Sequence, residues 1–140
     1  MPKLTNDERD AFLSELRYGI LTMQREDGSP IGVPVWYDWD GEAVRLFAAS
    51  NSPKIARLTA NPQASLLVVN NLDETEMWVA FDGEVSISSE GGMALAEQLA
   101  ARYWSMTEPR HVELLAAWRE VADQIWLLTL KPSRIRSYRD

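Results

Sequence analysis

Between Gly19 and Ala49 the chain runs in short segments that alternate apolar and other residues, and the first two segments end at Asp-Gly pairs. Gly19-Ile20-Leu21-Thr22-Met23 leads into Asp27-Gly28, Ile31, Val33, Val35 and Tyr37 then fall two apart, and Asp40-Gly41 follows. Beyond it Val44, Leu46 and Ala48 point one way while Arg45, Phe47 and Ala49 point the other. A period of two places side chains on one face of an extended strand, and Asp-Gly supplies the backbone freedom of a tight hairpin turn. Three antiparallel strands in series are predicted. An isolated hairpin is marginal in water, so these strands commit the chain to a larger sheet with one covered face.

Helix signals surround the strands. Thr5 and Glu8 have capping-box spacing, with Phe12, Leu13 and Leu16 on one face behind them, which predicts a first helix from Asn6 to Arg17. Ser52-Pro53 predicts a second helix start and Asn61-Pro62 its stop, about two turns later. Ala64 to Val69 and Met77 to Ile87 read as further strands, the latter bulged at Asp82-Gly83. After Gly91-Gly92, the spacing of Leu95, Leu99 and Tyr103, and of Leu114, Trp118 and Val121 behind Pro109, predicts two packed helices. Gln124 to Leu130 returns as a strand, and Arg134 to Tyr138 reads as a last short one. Six or seven short strands joined mostly by tight turns favour a mainly β fold, an antiparallel β-barrel with flanking helices. A doubly wound nucleotide-binding sheet is set aside, because no Gly-rich strand-to-helix turn occurs. Residues 1–140 hold no repeat or linker and read as a single domain.

The chemistry open to the chain is narrow. It has no cysteine and one histidine, His111, which excludes disulfides, thiolate nucleophiles, thiolate metal sites and most hydrolytic triads. No catalytic side chain and no metal ligand is assigned. Asp38, Asp40 and Glu42 crowd one hairpin tip, yet a calcium loop would close on a Glu where Ala49 stands. A net charge of −7, from 14 Lys and Arg against 21 Asp and Glu, repels a phosphate backbone and argues against nucleic acid as a partner. The amino terminus from Met1 to Asp10 is charged where a secretory signal would be apolar, and no apolar run approaches the roughly 20 residues of a membrane span. A cytoplasmic protein without membrane contact is expected.

Two features point to a ligand. Trp36 falls opposite the face of Val33, Val35 and Tyr37, so one of the two sets lies outside the barrel. A large aromatic outside asks for a subunit interface or a planar ligand. The second feature is Ala48-Ala49-Ser50-Asn51-Ser52-Pro53-Lys54, a strand ending in small residues that runs into a helix start. Unpaired N–H groups and the positive end of the helix dipole suit an anion there, and Lys54 and Arg57 share one helical face beside it.

The ordered set Gly19-Ile20-Leu21-Thr22, Asp27-Gly28-Ser29-Pro30, Val33-Pro34-Val35-Trp36-Tyr37, Asp40-Gly41, Lys54-Ile55-Ala56-Arg57-Leu58, Asn61-Pro62 and Trp78-Val79 through Gly83-Glu84-Val85 resembles the pyridoxamine 5′-phosphate oxidase-like, FMN-binding split-barrel family. The resemblance implies a six-stranded antiparallel split barrel that forms a homodimer, with flavin in the grooves between subunits. A barrel this small is filled by its own side chains, so a three-ring cofactor has to lie outside it against a second wall. By the same resemblance Val33, Pro34, Val35 and Trp36 run along the flavin, Phe47, Ala48, Ala49 and Ser50 approach the ribityl chain and phosphate, and Lys54 holds the phosphate with Arg57 as a second ligand. Trp78 and Tyr138 match positions near the ring.

The chain departs from the oxidase itself. Val33 and Pro53 stand where the oxidase has basic residues, and its substrate signature continues past the position of Tyr138 with an Arg and a His that a sequence ending at Asp140 does not supply. Vitamin B6 oxidation is disfavoured. The implied function is an FMN-dependent oxidoreductase, a flavoprotein acting on an unidentified small organic substrate. The alternatives are a deazaflavin-dependent reductase of the same fold and a non-catalytic flavin-binding module. A deazaflavin coenzyme would bring an oligoglutamate tail, for which Lys131, Arg134, Arg136 and Arg139 are the candidate basic patch. The plainer reading of those four is a basic strand balancing an acidic body.

Overall fold

The computed structural model describes residues 3–140; Met1 and Pro2, part of the charged amino terminus discussed above, lie outside the described residues. In chain order the elements are α1 (Asn6–Ser14), β1 (Gly19–Gln24), β2 (Pro30–Val35), β3 (Asp38–Trp39), β4 (Val44–Ala49), α2 (Pro53–Ala60), β5 (Gln63–Val69), β6 (Met77–Ser88), α3 (Gly92–Tyr103), α4 (Pro109–Glu120) and β7 (Ile125–Arg139). The strands make one antiparallel sheet in the order β2-β1-β5-β6-β7-β4-β3. Its two edge strands, β2 and β3, are joined by Trp36 and Tyr37 alone, and so short a link between opposite edges is met only if the sheet curls round on itself. This is the mainly β split barrel with flanking helices that the sequence implied. It has seven strands rather than six, the extra one being the two-residue β3, which pairs Asp38 with Arg45 and Trp39 with Val44.

Inside the curl the period-two positions meet as read. Leu21, Met23, Val44, Leu46, Leu66, Val68, Val79, Phe81, Leu128 and Leu130 are buried, and Tyr37 joins them with its hydroxyl donating to the Leu13 carbonyl at 2.9 Å. Burial of this apolar surface is what holds the sheet curled.

Two element boundaries differ from the sequence reading. The first helix ends at Ser14 instead of Arg17, because two arginines take the carbonyls at its end. Arg17, 3% exposed, donates to Phe12 O at 3.0 Å, and Arg102 donates to Leu13 O and Glu15 O at 2.9 and 2.8 Å. Those bonds replace the next helical turn. Nor is there a break between Leu130 and Arg134: β7 is continuous over Ile125–Arg139. Pro132, which lacks an N–H, sits opposite Gly83 at the register shift of β6, where a missing donor does no harm. The bulge at Asp82-Gly83 is as predicted, and a Cβ on Gly83 would lie 2.1 Å from Lys131 O.

Candidate cofactor site

The predicted site residues fall into four places. Val33, Val35 and Ala48 face the core: the valines are half-buried against it and Ala48 is buried within it. Pro34, Trp78 and Tyr138 lie on the outer face of the sheet. Cross-strand register makes Pro34, Ile20, Leu67, Ala80 and Arg136 one continuous row there, and Trp78 stands between Val69 and Tyr138 in the next row. The Trp78 and Tyr138 rings stack with centroids 6.3 Å apart. With Thr22, Ser65, Leu67 and Arg136, Trp78 lines an open depression of about 450 Å³ on that face.

The third place is the start of α2. Ser52 caps the helix, its hydroxyl accepting from Lys54 N at 3.2 Å, while Ile55 and Leu58 anchor the helix in the core. Ala49 and Ser50 form the approach, Ser50 N being fixed by Gln124 O at 2.7 Å. Lys54 is half-buried beside this cap. Burial alone acts on its ammonium and pushes it below the ordinary lysine value, with no carboxylate near enough to offset the loss of water. A partly desolvated cation without a counter-charge, next to a capped helix start, has the electrostatics of an anion site. Arg57, one turn on, faces a groove of about 720 Å³ between α2 and the β1–β2 turn.

Trp36 and Phe47 occupy the fourth place. The Trp36 side chain lies outside the barrel, where residues of the chain's own helical segment pack on it and leave it half-buried. Trp36 stacks on Tyr103 with centroids 5.0 Å apart and planes 2° apart, meets Trp104 edge-on at 4.9 Å, and contacts Phe47 and Trp118 at 6.1 and 6.2 Å. Part of the Trp36 surface is thus taken up within the chain itself. His111 closes the group, its ring stacked on Trp104 at 4.8 Å with Nδ1 3.2 Å from Ser105 O. The helical spacing of Tyr103 and Trp118 was visible in the sequence; their convergence on Trp36 was not.

Other charged candidates are used locally. Asp40 accepts the N–H groups of Glu42 and Ala43 at 2.8 Å, and Asp38 pairs with Arg45 at 2.6 Å, so the acidic hairpin tip is a turn cap and an ion pair. Arg136 holds Asp82 at 2.7 and 2.9 Å and Arg139 holds Glu8 at 3.2 Å, which neutralises half of the carboxy-terminal basic patch. The sequence reading missed the clamp between Arg17 and Glu74, a two-pronged contact whose second prong is 2.9 Å. It holds the Glu74 carboxyl down at about 2.

The fold has counterparts among known proteins. The family model for pyridoxamine 5′-phosphate oxidase matches residues 5–137. The chain belongs to the pyridoxamine 5′-phosphate oxidase family. Among solved structures this family member is similar to an F420 reductase, with a TM-score of 0.73 at 24% identity, over 90% of this chain and 94% of that one. It is similar to a conserved hypothetical protein from Mycobacterium tuberculosis, with a TM-score of 0.73 at 21% identity, over 97% and 85%. A FAD-binding protein from Mesorhizobium loti aligns with a TM-score of 0.64 at 17% identity, over 97% and 93%. No curated protein matches the sequence. At such identities the likeness is one of fold.

Proposed function

We propose that this protein is an oxidoreductase that uses a phosphorylated flavin-type cofactor, FMN or its deazaflavin counterpart, bound between two copies of the chain and acting on a small organic substrate. Lys54 carries the reading: a half-buried ammonium without a counter-charge, at a capped helix start, fits a phosphate. Membership of a family whose namesake is an oxidase, with an F420 reductase and a FAD-binding protein among its structural neighbours, supports the class of cofactor.

The cofactor ring supplies the hydride chemistry when bound. The chain's residues bind and orient. Lys54, the Ser50 approach and Arg57 hold the phosphate end, and the outer sheet face offers a flat wall in Pro34, Trp78 and Tyr138. Leu67 and Val69, 38% and 43% exposed beside that wall, are apolar surface that a second copy would cover, removing water from the ring.

An absorption and mass spectrum of the small molecule that co-purifies with the protein tests the proposal. Flavin or deazaflavin bands, and a mass that carries phosphate, are expected. A colourless protein that binds neither FMN nor a deazaflavin at micromolar concentration overturns it.

A further inference from the structure

From the structure we infer that the aromatic group around Trp36 is a path for single-electron oxidation, which draws an oxidising equivalent out of the packed indoles and discharges it at the exposed phenol of Tyr18. This path needs no bound cofactor. Its inner end is a group of three indoles in contact: Trp36 meets Trp104 at 4.9 Å and Trp118 at 6.2 Å between ring centroids, and Trp104 meets Trp118 at 5.0 Å. Indole is among the side chains most readily oxidised by one electron, and electrons exchange fastest between rings in contact, so a vacancy made on any of the three is shared by all. The rings at the rim decide where it leaves. Phe47 touches Trp36 and Trp118 at 6.1 and 5.5 Å, and His111 stacks on Trp104 at 4.8 Å, but benzene and imidazole are harder to oxidise than indole and take no vacancy from it. Among the described residues the other ring at the rim is Tyr103, which lies on Trp36 at 5.0 Å with the planes 2° apart. One further step of 5.8 Å reaches Tyr18.

The two phenols play different parts. Oxidising a tyrosine near neutral pH requires its hydroxyl proton to leave with the electron. The Tyr103 hydroxyl donates to the Arg17 carbonyl, which is too weak a base to keep that proton, and the Arg102 guanidinium, 5.5 Å from the ring centroid, makes positive charge on Tyr103 costly. Tyr103 is a bridge. Tyr18 is 61% exposed, while the other tyrosines are buried or half-buried, so water takes the Tyr18 proton as the electron departs. A tyrosine that can release its proton is easier to oxidise than tryptophan, and the last step runs downhill. The electrons balance in three steps. A one-electron oxidant of the oxygen-radical class removes an electron from an indole; Tyr18 returns that electron through Tyr103 and gives its proton to water, which restores the indole; a soluble thiol or ascorbate then supplies one electron and one proton to the phenoxyl radical. One oxidant and one reductant are consumed and the protein is unchanged. Trp39, set against Phe81 at 4.7 Å, has no such outlet, whereas Trp78 has its own in Tyr138 at 6.3 Å.

Pulse radiolysis with azide radical, which oxidises tryptophan first, tests the path in the intact protein. The indolyl absorption should decay as the phenoxyl absorption grows, at a rate independent of protein concentration. Tyr18→Phe, which removes one exposed hydroxyl and keeps the ring, should lower the phenoxyl yield to what the Trp78–Tyr138 pair supplies and prolong the indolyl signal, with the circular dichroism spectrum unchanged. After equal doses, peptide mapping should find oxygenated indole at Trp36, Trp104 and Trp118 several-fold more often in that variant than in the wild type. Tyr138→Phe, which closes only the outlet of Trp78, should leave oxidation at those three positions at the wild-type level. A phenoxyl yield unchanged by Tyr18→Phe, or oxidation of the three indoles that responds to Tyr138→Phe and not to Tyr18→Phe, overturns the inference while leaving the proposed function standing.

Discussion

Lys54 has given up water without gaining a carboxylate, and in the proposed function it is the residue that meets the phosphate. Lys54→Ala should weaken binding of FMN or a deazaflavin by about 1.5–3 kcal/mol, roughly ten- to a hundred-and-fifty-fold in Kd, with little change in melting temperature. Fluorescence titration checks it. Glu74 is the opposite case, an acid fully engaged by Arg17 and the Asn71 N–H. Its carboxyl is lowered from 4.5 to about 2, so its contribution to stability is complete above about pH 4.5 and is lost as the pH falls towards 2. Glu74→Gln should flatten that part of the acid limb in pH-dependent denaturation while leaving the neutral-to-alkaline limb unchanged in shape. Lys54 could be singled out in the sequence because a helix start leaves a local signature, Ser-Pro followed by a lysine. The Arg17–Glu74 clamp could not, since 57 residues separate its partners and neither sits in a motif.

At the scale of elements, hairpins, the bulge and helix starts were legible because each is fixed by neighbours in the chain: Asp-Gly turns, Ser-Pro, the capping box. Where an element ended through a distant contact, the reading failed. Helix α1 stops on arginines, one of them from α3, and β7 runs through Pro132 because Gly83 across the sheet makes room. The neighbours of Trp36 were hidden for the same reason, coming from residues 103–118. Trp36→Ala should therefore destabilise the fold, by less than the roughly 3–5 kcal/mol that a fully buried aromatic costs because the indole is only half-buried, and loosen α3 and α4. Urea denaturation followed by circular dichroism reads this directly, and a loss confined to cofactor affinity would place the indole at the ligand instead. Gly83→Ala should be destabilising by about 1–3 kcal/mol, because the added methyl meets backbone that cannot swing aside.

The whole molecule shows an outer sheet face with exposed Leu67 and Val69 around the Trp78–Tyr138 pair, against which a second copy is expected to lie. Sedimentation at micromolar concentration should give a dimer, and Leu67→Arg should shift it towards monomer and release cofactor in the same titration. A monomeric wild-type protein that holds flavin would remove the partner from the proposed site. Curling of the sheet has a further consequence. Strand β4 meets only the two-residue β3 on one side, and its other side is paired along its length with Ile125–Leu130 of β7, far downstream in the chain. While the chain is still emerging from the ribosome, the hairpin of β1 and β2 can form, but β4 must wait with an open edge. Closure of the barrel therefore waits until residues 125–130 have emerged, and a nascent chain stalled before Ile125 should be the species that chaperones and proteases recognise.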